Sequence, residues 1–240
     1  MAFKIYFLRV SMVTAIVGSG LFSLATVRAD TIAIIGTGNV AHVLGPGFAG
    51  LGHEIVYGSR EPQRPDVQEL VQQTAVNASA TTPAEAVRDA DIVVLAVPGP
   101  AVPQVVDSLG DLAGKIIIDP TNPTTTDDDG VRTSAVATSN GEIIQEMAPD
   151  AFVVKAFNTM GTPTMDNPEL FDVPIAVPLL GDNDEAKARV AALVSGIGLQ
   201  PVDVGPIRFS RTVEGMLLLL IYAGTHGNPV NFSFAPPAPR

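Results

Sequence analysis

The sequence predicts a doubly wound α/β fold, in which a mostly parallel sheet carries helices on both faces and is followed by a smaller C-terminal α/β lobe. Short β-branched runs alternate along the chain with segments of helical character. Those runs are apolar throughout rather than at every second residue, as burial of both sheet faces demands. The first run ends in Gly36-Thr37-Gly38, directly before a helical segment, which is the strand–turn–helix order of a Rossmann-type unit.

Thr31 to Ile35 is the first strand and Asn39 to Leu51 the first helix, with Glu54 to Tyr57 the second strand and Asp66 to Gln73 the second helix. Thr82-Pro83-Ala84-Glu85 opens another helix, because it combines a hydroxyl cap, proline at the first helical position and a carboxylate placed for a capping box. Asp91 to Val97, Lys115 to Asp119 and Phe152 to Phe157 are buried strands, the last two separated by a helix near Glu142 to Met147. From Asn158 the texture changes to a long Gly/Pro/Thr/Asn stretch. Beyond it come a strand at Ile175 to Leu179, a helix from Asp184 to Ser195, a strand at Pro201 to Val204 and a helix from Ser210 to Tyr222. Pro229, Pro236, Pro237 and Pro239 predict an extended tail after Gly227. The organisation expected is a leader over residues 1–29, a nucleotide-binding domain over 30–157, and the smaller lobe over 158–240 with its proline-rich tail.

Composition narrows the function. A chain of 240 residues holds one α/β domain with an appendage. The formal charge of −11 argues against nucleic acid as a partner, since a phosphate-coating surface needs clustered Lys and Arg. The absence of cysteine excludes a disulfide framework and any thiol nucleophile. Lys4 and Arg9, the apolar or small stretch from Val10 to Leu24, and Val27-Arg28-Ala29 read as a secretory signal peptide cut after Ala29. Ser11, Thr14, Ser19 and Ser23 interrupt the stretch, so no stable membrane span is expected in the mature chain. Cleavage predicts a periplasmic or secreted protein; without it the protein is cytoplasmic.

The Gly36-Thr37-Gly38-Asn39-Val40-Ala41 segment has the context that dinucleotide binding needs. Gly36 permits the tight turn, Gly38 lets the backbone approach a pyrophosphate, and Ala41 stands where the third glycine would allow close helix–strand packing. Free N–H groups at the helix start then face the phosphates. The end of the second strand selects the dinucleotide, because an acidic residue there would bond the ribose 2′-hydroxyl of NAD. Here the chain reads Tyr57-Gly58-Ser59-Arg60, and Glu54 lies at the wrong end of the strand. A hydroxyl and a guanidinium suit a 2′-phosphate, with Arg64 as a second cation, so NADP(H) is the expected cofactor.

An ordered set of further short motifs accompanies this turn: Leu51-Gly52-His53-Glu54-Ile55-Val56, Gly58-Ser59-Arg60, Val97-Pro98, Asp119-Pro120-Thr121-Asn122-Pro123, Val154-Lys155-Ala156-Phe157-Asn158-Thr159, Gly181-Asp182-Asn183-Asp184-Glu185-Ala186-Lys187 and Val202-Asp203-Val204-Gly205. With them the chain, over Thr31 to Tyr222, resembles the NADP oxidoreductases dependent on coenzyme F(420), an 8-hydroxy-5-deazaflavin, and the reductase domain of the six-transmembrane metalloreductases. The resemblance implies direct hydride transfer between NADP(H) and a flavin or deazaflavin acceptor. It implies that Val97 and Pro98 lie beside the nicotinamide ribose, and that the Asn122 loop and Asn158-Thr159 border the nicotinamide pocket. Such a transfer depends on proximity and orientation and needs no strong general base, so no catalytic acid or base is assigned. Beyond Thr159, Met160 to Phe171 supply no acceptor contact that the resemblance identifies.

Other segments are read as structural. Asp127-Asp128-Asp129-Gly130 lacks the ligand spacing and terminal Glu of a calcium loop and is a solvated turn, and His42, His53 and His226 have no metal-like spacing. No metal is expected. Ser210, Arg211 and Glu214 open the last helix, either as an N-cap with a first-turn carboxylate or as lining of the acceptor pocket. Leu217 to Ile221 is apolar on all sides, which predicts a buried or homodimer-forming helix. The alternative function is an NADP(H)-binding redox sensor or partner module without turnover. A 3-hydroxyacid or imine dehydrogenase ranks third, because too little chain remains for its long helical domain.

Overall fold

A computed structural model describes residues 29–75 and 77–230. The expected signal peptide, apart from Ala29, and the end of the proline-rich tail lie outside the described residues. The first half winds β1 (Thr31–Ile35), α1 (Asn39–Gly50), β2 (Glu54–Gly58), α2 (Pro65–Thr74), β3 (Ala78–Thr81), α3 (Pro83–Arg88), β4 (Ile92–Leu95), α4 (Val102–Ser108) and β5 (Ile116–Asp119). A hairpin of β6 (Thr124–Thr126) and β7 (Arg132–Ser134) follows, then α5 (Asn140–Met147) and β8 (Phe152–Lys155). The remainder supplies α6 (Thr162–Asp166), β9 (Ala176–Leu180), α7 (Asp184–Gly196), β10 (Gln200–Gly205) and α8 (Ser210–Thr225).

Eight strands form one sheet in the order β10-β9-β8-β5-β4-β1-β2-β3. All neighbours are parallel except β8 and β9, which meet antiparallel through the single register pair Lys155–Leu180. The inner strands β1, β4, β5, β8 and β9 are buried on both faces, and alternate residues feed two cores. Ile32, Ile34, Ile92 and Val94 pack on one face with Leu44 and Phe48 of α1. Ala33, Ile35, Val93 and Leu95 pack on the other with residues of α3, α4 and α5.

In the region expected as a smaller lobe, β9 and β10 extend the main sheet, and the Gly/Pro/Thr/Asn stretch is the long connection that returns to it. The expected strand Phe152 to Phe157 ends at Lys155. Two residues later the backbone turns through Phe157 at φ +64, a left-handed conformation that is costly for a bulky residue. Its ring is anchored against Phe48 of α1, with centroids 6.3 Å apart.

The capping box read at the start of α3 is present. Glu85 accepts from the Thr82 N–H at 3.2 Å and from its hydroxyl at 2.6 Å. These bonds and one from Thr81 hold the Glu85 carboxyl down at about 2. The Asp127–Gly130 segment is the turn of the β6–β7 hairpin, where the Asp127 carboxylate accepts the N–H of Asp129 at 3.1 Å and of Val131 at 2.8 Å. No described helix is long and apolar enough to cross a membrane.

Candidate active site

From β1 the chain winds outward through β2 and β3, then returns to β4 on the other flank of β1 and continues to β5. Winding that reverses in this way opens a crevice outside the carboxyl ends of the two central strands. The Gly36–Gly38 turn follows β1, and Val97-Pro98 follows β4, so both expected segments border it.

Gly36 adopts φ +102 and donates its N–H to Gly58 O at 2.9 Å, tying the ends of β1 and β2. A Cβ there would fall 2.2 Å from Ala96 O and 3.2 Å from a Val97 methyl, so only glycine closes this turn onto the end of β4. Gly38 caps α1 in extended conformation and supplies no side-chain bond, and the first turn, Asn39 and Val40 included, holds no acidic residue. A Cβ on Gly38 would meet nothing within 4 Å. Uncapped N–H groups, a helix dipole and open space beside them suit a phosphate.

Beyond β2, Ser59 is buried, donates its N–H to Thr81 O at 2.9 Å and accepts the Glu61 N–H on its Oγ at 3.2 Å. Arg60 is exposed and makes no hydrogen bond or ion pair among the described residues. Arg64, expected as a second cation, is paired within the chain. It is the residue that caps α2, and its Nε lies 2.5 Å from Asp66 Oδ1, which holds the guanidinium above its ordinary range.

At the other end of the strand row, Asn122 and Asn158 come together. Asn122 Nδ2 donates to Asn158 O at 3.0 Å, and Asn158 Nδ2 donates to Asn122 Oδ1 at 3.0 Å and to Val213 O at 3.1 Å. Gly99 lets the Val97–Pro98 segment close on this pair, since a Cβ there would fall 1.8 Å from Asn122 O.

Behind the asparagines lies a buried charged network that the sequence reading did not assemble. Lys155 Nζ, fully buried, donates to Asp119 Oδ2 at 2.8 Å, Thr121 O at 2.5 Å and Glu214 Oε1 at 2.5 Å. The same Glu214 oxygen accepts the Asn140 N–H at 2.9 Å. Asn140 Nδ2 in turn reaches Gly99 O at 3.0 Å and Thr121 Oγ1 at 2.7 Å. The available signal was a lysine inside the apolar run Phe152 to Phe157, because a buried ammonium must bring its own counter-charges. Ser210 does not act as the N-cap of α8; that position is Phe209, and the Ser210 hydroxyl is buried without a partner. Glu214 lies one turn further on the same face, with burial, opposed by Lys155, raising its carboxyl to about 6.

His53 is structural: its Nδ1 accepts the Asp30 N–H at 3.1 Å at the foot of β1. Among the described residues no group of three or more His, Cys, Asp or Glu side chains is placed to hold a metal ion.

A family model described as NADP oxidoreductase, coenzyme F420-dependent, matches residues 31–123. A solved structure described as an F420-dependent NADP-reductase from Arthrobacter sp. FB24 matches with TM-score 0.79 and 30% identity, covering 87% of this chain and 100% of that one. Metalloreductase STEAP3 of Rattus norvegicus is 32% identical over 195 residues, which is 81% of this chain and 38% of that protein. Metalloreductase STEAP2 of Homo sapiens is 25% identical over 203 residues, 84% of this chain and 39% of its own length. The chain thus spans about two fifths of the length of the curated relatives it matches.

Proposed function

The chain belongs to the coenzyme F420-dependent NADP oxidoreductase family, and from that membership we propose that it passes hydride between NADP(H) and a deazaflavin or flavin acceptor. The observation that carries the reading is the row of features along one edge of the sheet. Strand order puts Ser59 and Arg60 after β2, the Gly36–Gly38 turn after β1, Val97 and Pro98 after β4, and the Asn122 and Asn158 pair after β5 and β8. At roughly 4.8 Å per strand that row is about 19 Å long, with a cation at one end and an amide pair at the other.

The residues fit the dinucleotide. Gly36, Thr37, Gly38, Asn39 and Val40 offer the pyrophosphate an uncapped helix beside open space, and Arg60 is free to pair with a 2′-phosphate while Ser59 shapes the turn below it. Arg64 joins them when it leaves Asp66. Val97 and Pro98 wall the centre of the crevice, and Asn122 with Asn158 forms the floor of the nicotinamide end. When bound, NADPH supplies the hydride, and the protein's share is to hold and orient.

Purified protein mixed with NADPH and a panel of flavins and a 5-deazaflavin is expected to oxidise NADPH with at least one of them. Binding without any turnover would turn the reading into an NADP(H)-binding module. A homodimer formed through the last turns of α8, where Leu219 is 64% exposed, belongs to the same reading and is checked by sedimentation equilibrium.

A further inference from the structure

Of the two Glu214 carboxyl oxygens only Oε1 has hydrogen-bond partners, and both belong to groups that shape the amide floor. One is Lys155 Nζ, on the strand that leads into Asn158; the other is the Asn140 N–H, whose side chain clamps Gly99 beside Asn122. Oε2 is buried and has no partner, and neither does the Asn158 Oδ1 that accepts nothing further in the same layer. Asn158 is also bonded to Val213 O, the residue preceding Glu214, so α8 and the floor are joined twice.

We propose that Glu214 is a positioning residue for hydride transfer: through Lys155 and Asn140 its single engaged oxygen holds the Asn122–Asn158 floor in place for the nicotinamide end of the dinucleotide. The inference rests on the reading of the site as NADP(H)-binding. One ammonium faces two carboxylates here, Asp119 and Glu214, in a space that is almost fully buried. Such an arrangement leaves a net negative charge away from water, and burial accordingly pushes the Glu214 carboxyl up to about 6. The other charged groups on the elements packed around α8 are Glu142 and Arg211, which pair with each other at 2.5 Å, the exposed Glu146 of α5, and Arg132 and Arg208 on the adjoining strand β7 and turn. Ionised Glu214 therefore grips Lys155 and the Asn140 N–H with a full charge, and protonation loosens both bonds across an ordinary working pH range.

The test separates the two ends of the dinucleotide. Glu214→Gln and Glu214→Ala are expected to weaken NADPH binding about tenfold at pH 8, the scale of a lost charge-assisted bond, and to leave 2′,5′-ADP within about twofold, because that probe carries only the adenosine end. The wild-type NADPH dissociation constant should rise as pH falls through about 6, and Glu214→Gln should be flat. Equal weakening of both probes in the glutamine variant shows a merely structural role and overturns the proposal, as does wild-type affinity with wild-type pH dependence. If the wild type binds neither probe, the proposed function falls instead. The free protein then decides the positioning claim: the Asn158 side-chain amide signal, identified by its loss in Asn158→Asp, should shift with a midpoint near pH 6 in the wild type. A signal that does not move, or moves equally in Glu214→Gln, overturns it.

Discussion

Gly45 of α1 lies so close to Tyr57 of β2 that a Cβ on the glycine would fall 1.8 Å from the phenol oxygen and 2.7 Å from the ring carbon bearing it. Tyr57 has no room to retreat, being fully buried with its hydroxyl 2.6 Å from Thr74 Oγ1. Gly45→Ala is therefore expected to destabilise the protein, because overpacking of about 1–3 kcal/mol outweighs the roughly 1 kcal/mol that alanine contributes to a helix interior. Urea unfolding should show the loss, and adding Tyr57→Phe should restore part of it. A Gly45→Ala protein as stable as the wild type would mean the helix and strand are not this tightly apposed.

That contact also marks where the sequence was legible and where it was not. The turn at Gly36 was legible because the strand–turn–helix order calls for a left-handed residue there, which glycine supplies at φ +102. Ala41, read as a close-packing position, is fully buried against the sheet, whereas the tight approach at Gly45 is set by a tyrosine on another strand, which no motif spacing records. Lys155, Asp119 and Glu214 were visible singly, and only the crossover connections bring them together. β9 and β10 were recognised as strands, but nothing in their residues says which sheet they join. Arg64 was given a ligand because Asp66, two residues away, was not weighed as its competitor.

Arg60→Ala should weaken NADPH by about tenfold to a hundredfold and leave NADH nearly unchanged, since a guanidinium–phosphate pair accounts for roughly 1.5–3 kcal/mol. Isothermal titration with both nucleotides reads the difference. Equal losses would show that the 2′-phosphate sits elsewhere.

Asp66→Asn should act in the opposite direction. Removing the carboxylate frees Arg64 to swing toward the same phosphate, so NADPH binding tightens severalfold while NADH does not respond. Because the ion pair is exposed, little change in folding stability is expected. No gain in NADPH affinity would retire Arg64 from the site.

Lys155→Met leaves Asp119 and Glu214 facing each other in a dry pocket, and breaking a buried pair from one side costs about 3–5 kcal/mol. The melting temperature should drop, and the drop should deepen from pH 5 to pH 8 as Glu214 ionises without its counter-charge. A loss independent of pH would argue for packing alone.

Glu214 has a pH signature of its own. Burial raises its carboxyl from the ordinary 4.5 to about 6 in the folded chain, so the folded state holds the proton more tightly. The stabilisation this represents is fully present below about 4.5 and is lost as pH rises through about 6. Relative to Glu214→Gln, the wild type should lose about 2 kcal/mol between pH 4 and pH 7. Parallel stability curves for the two proteins would contradict the shift.

The single rung between Lys155 and Leu180 has a mechanical consequence. In the hydrogen-bonded ladder the last two strands join the rest of the sheet at the very residue whose side chain gathers the buried charges. Fraying of that margin would pull first on the ammonium and the asparagines beyond it, while the glycine turn, three strands inboard of β8, stays seated. Loss of hydride transfer would then precede loss of nucleotide capture when the molecule is warmed.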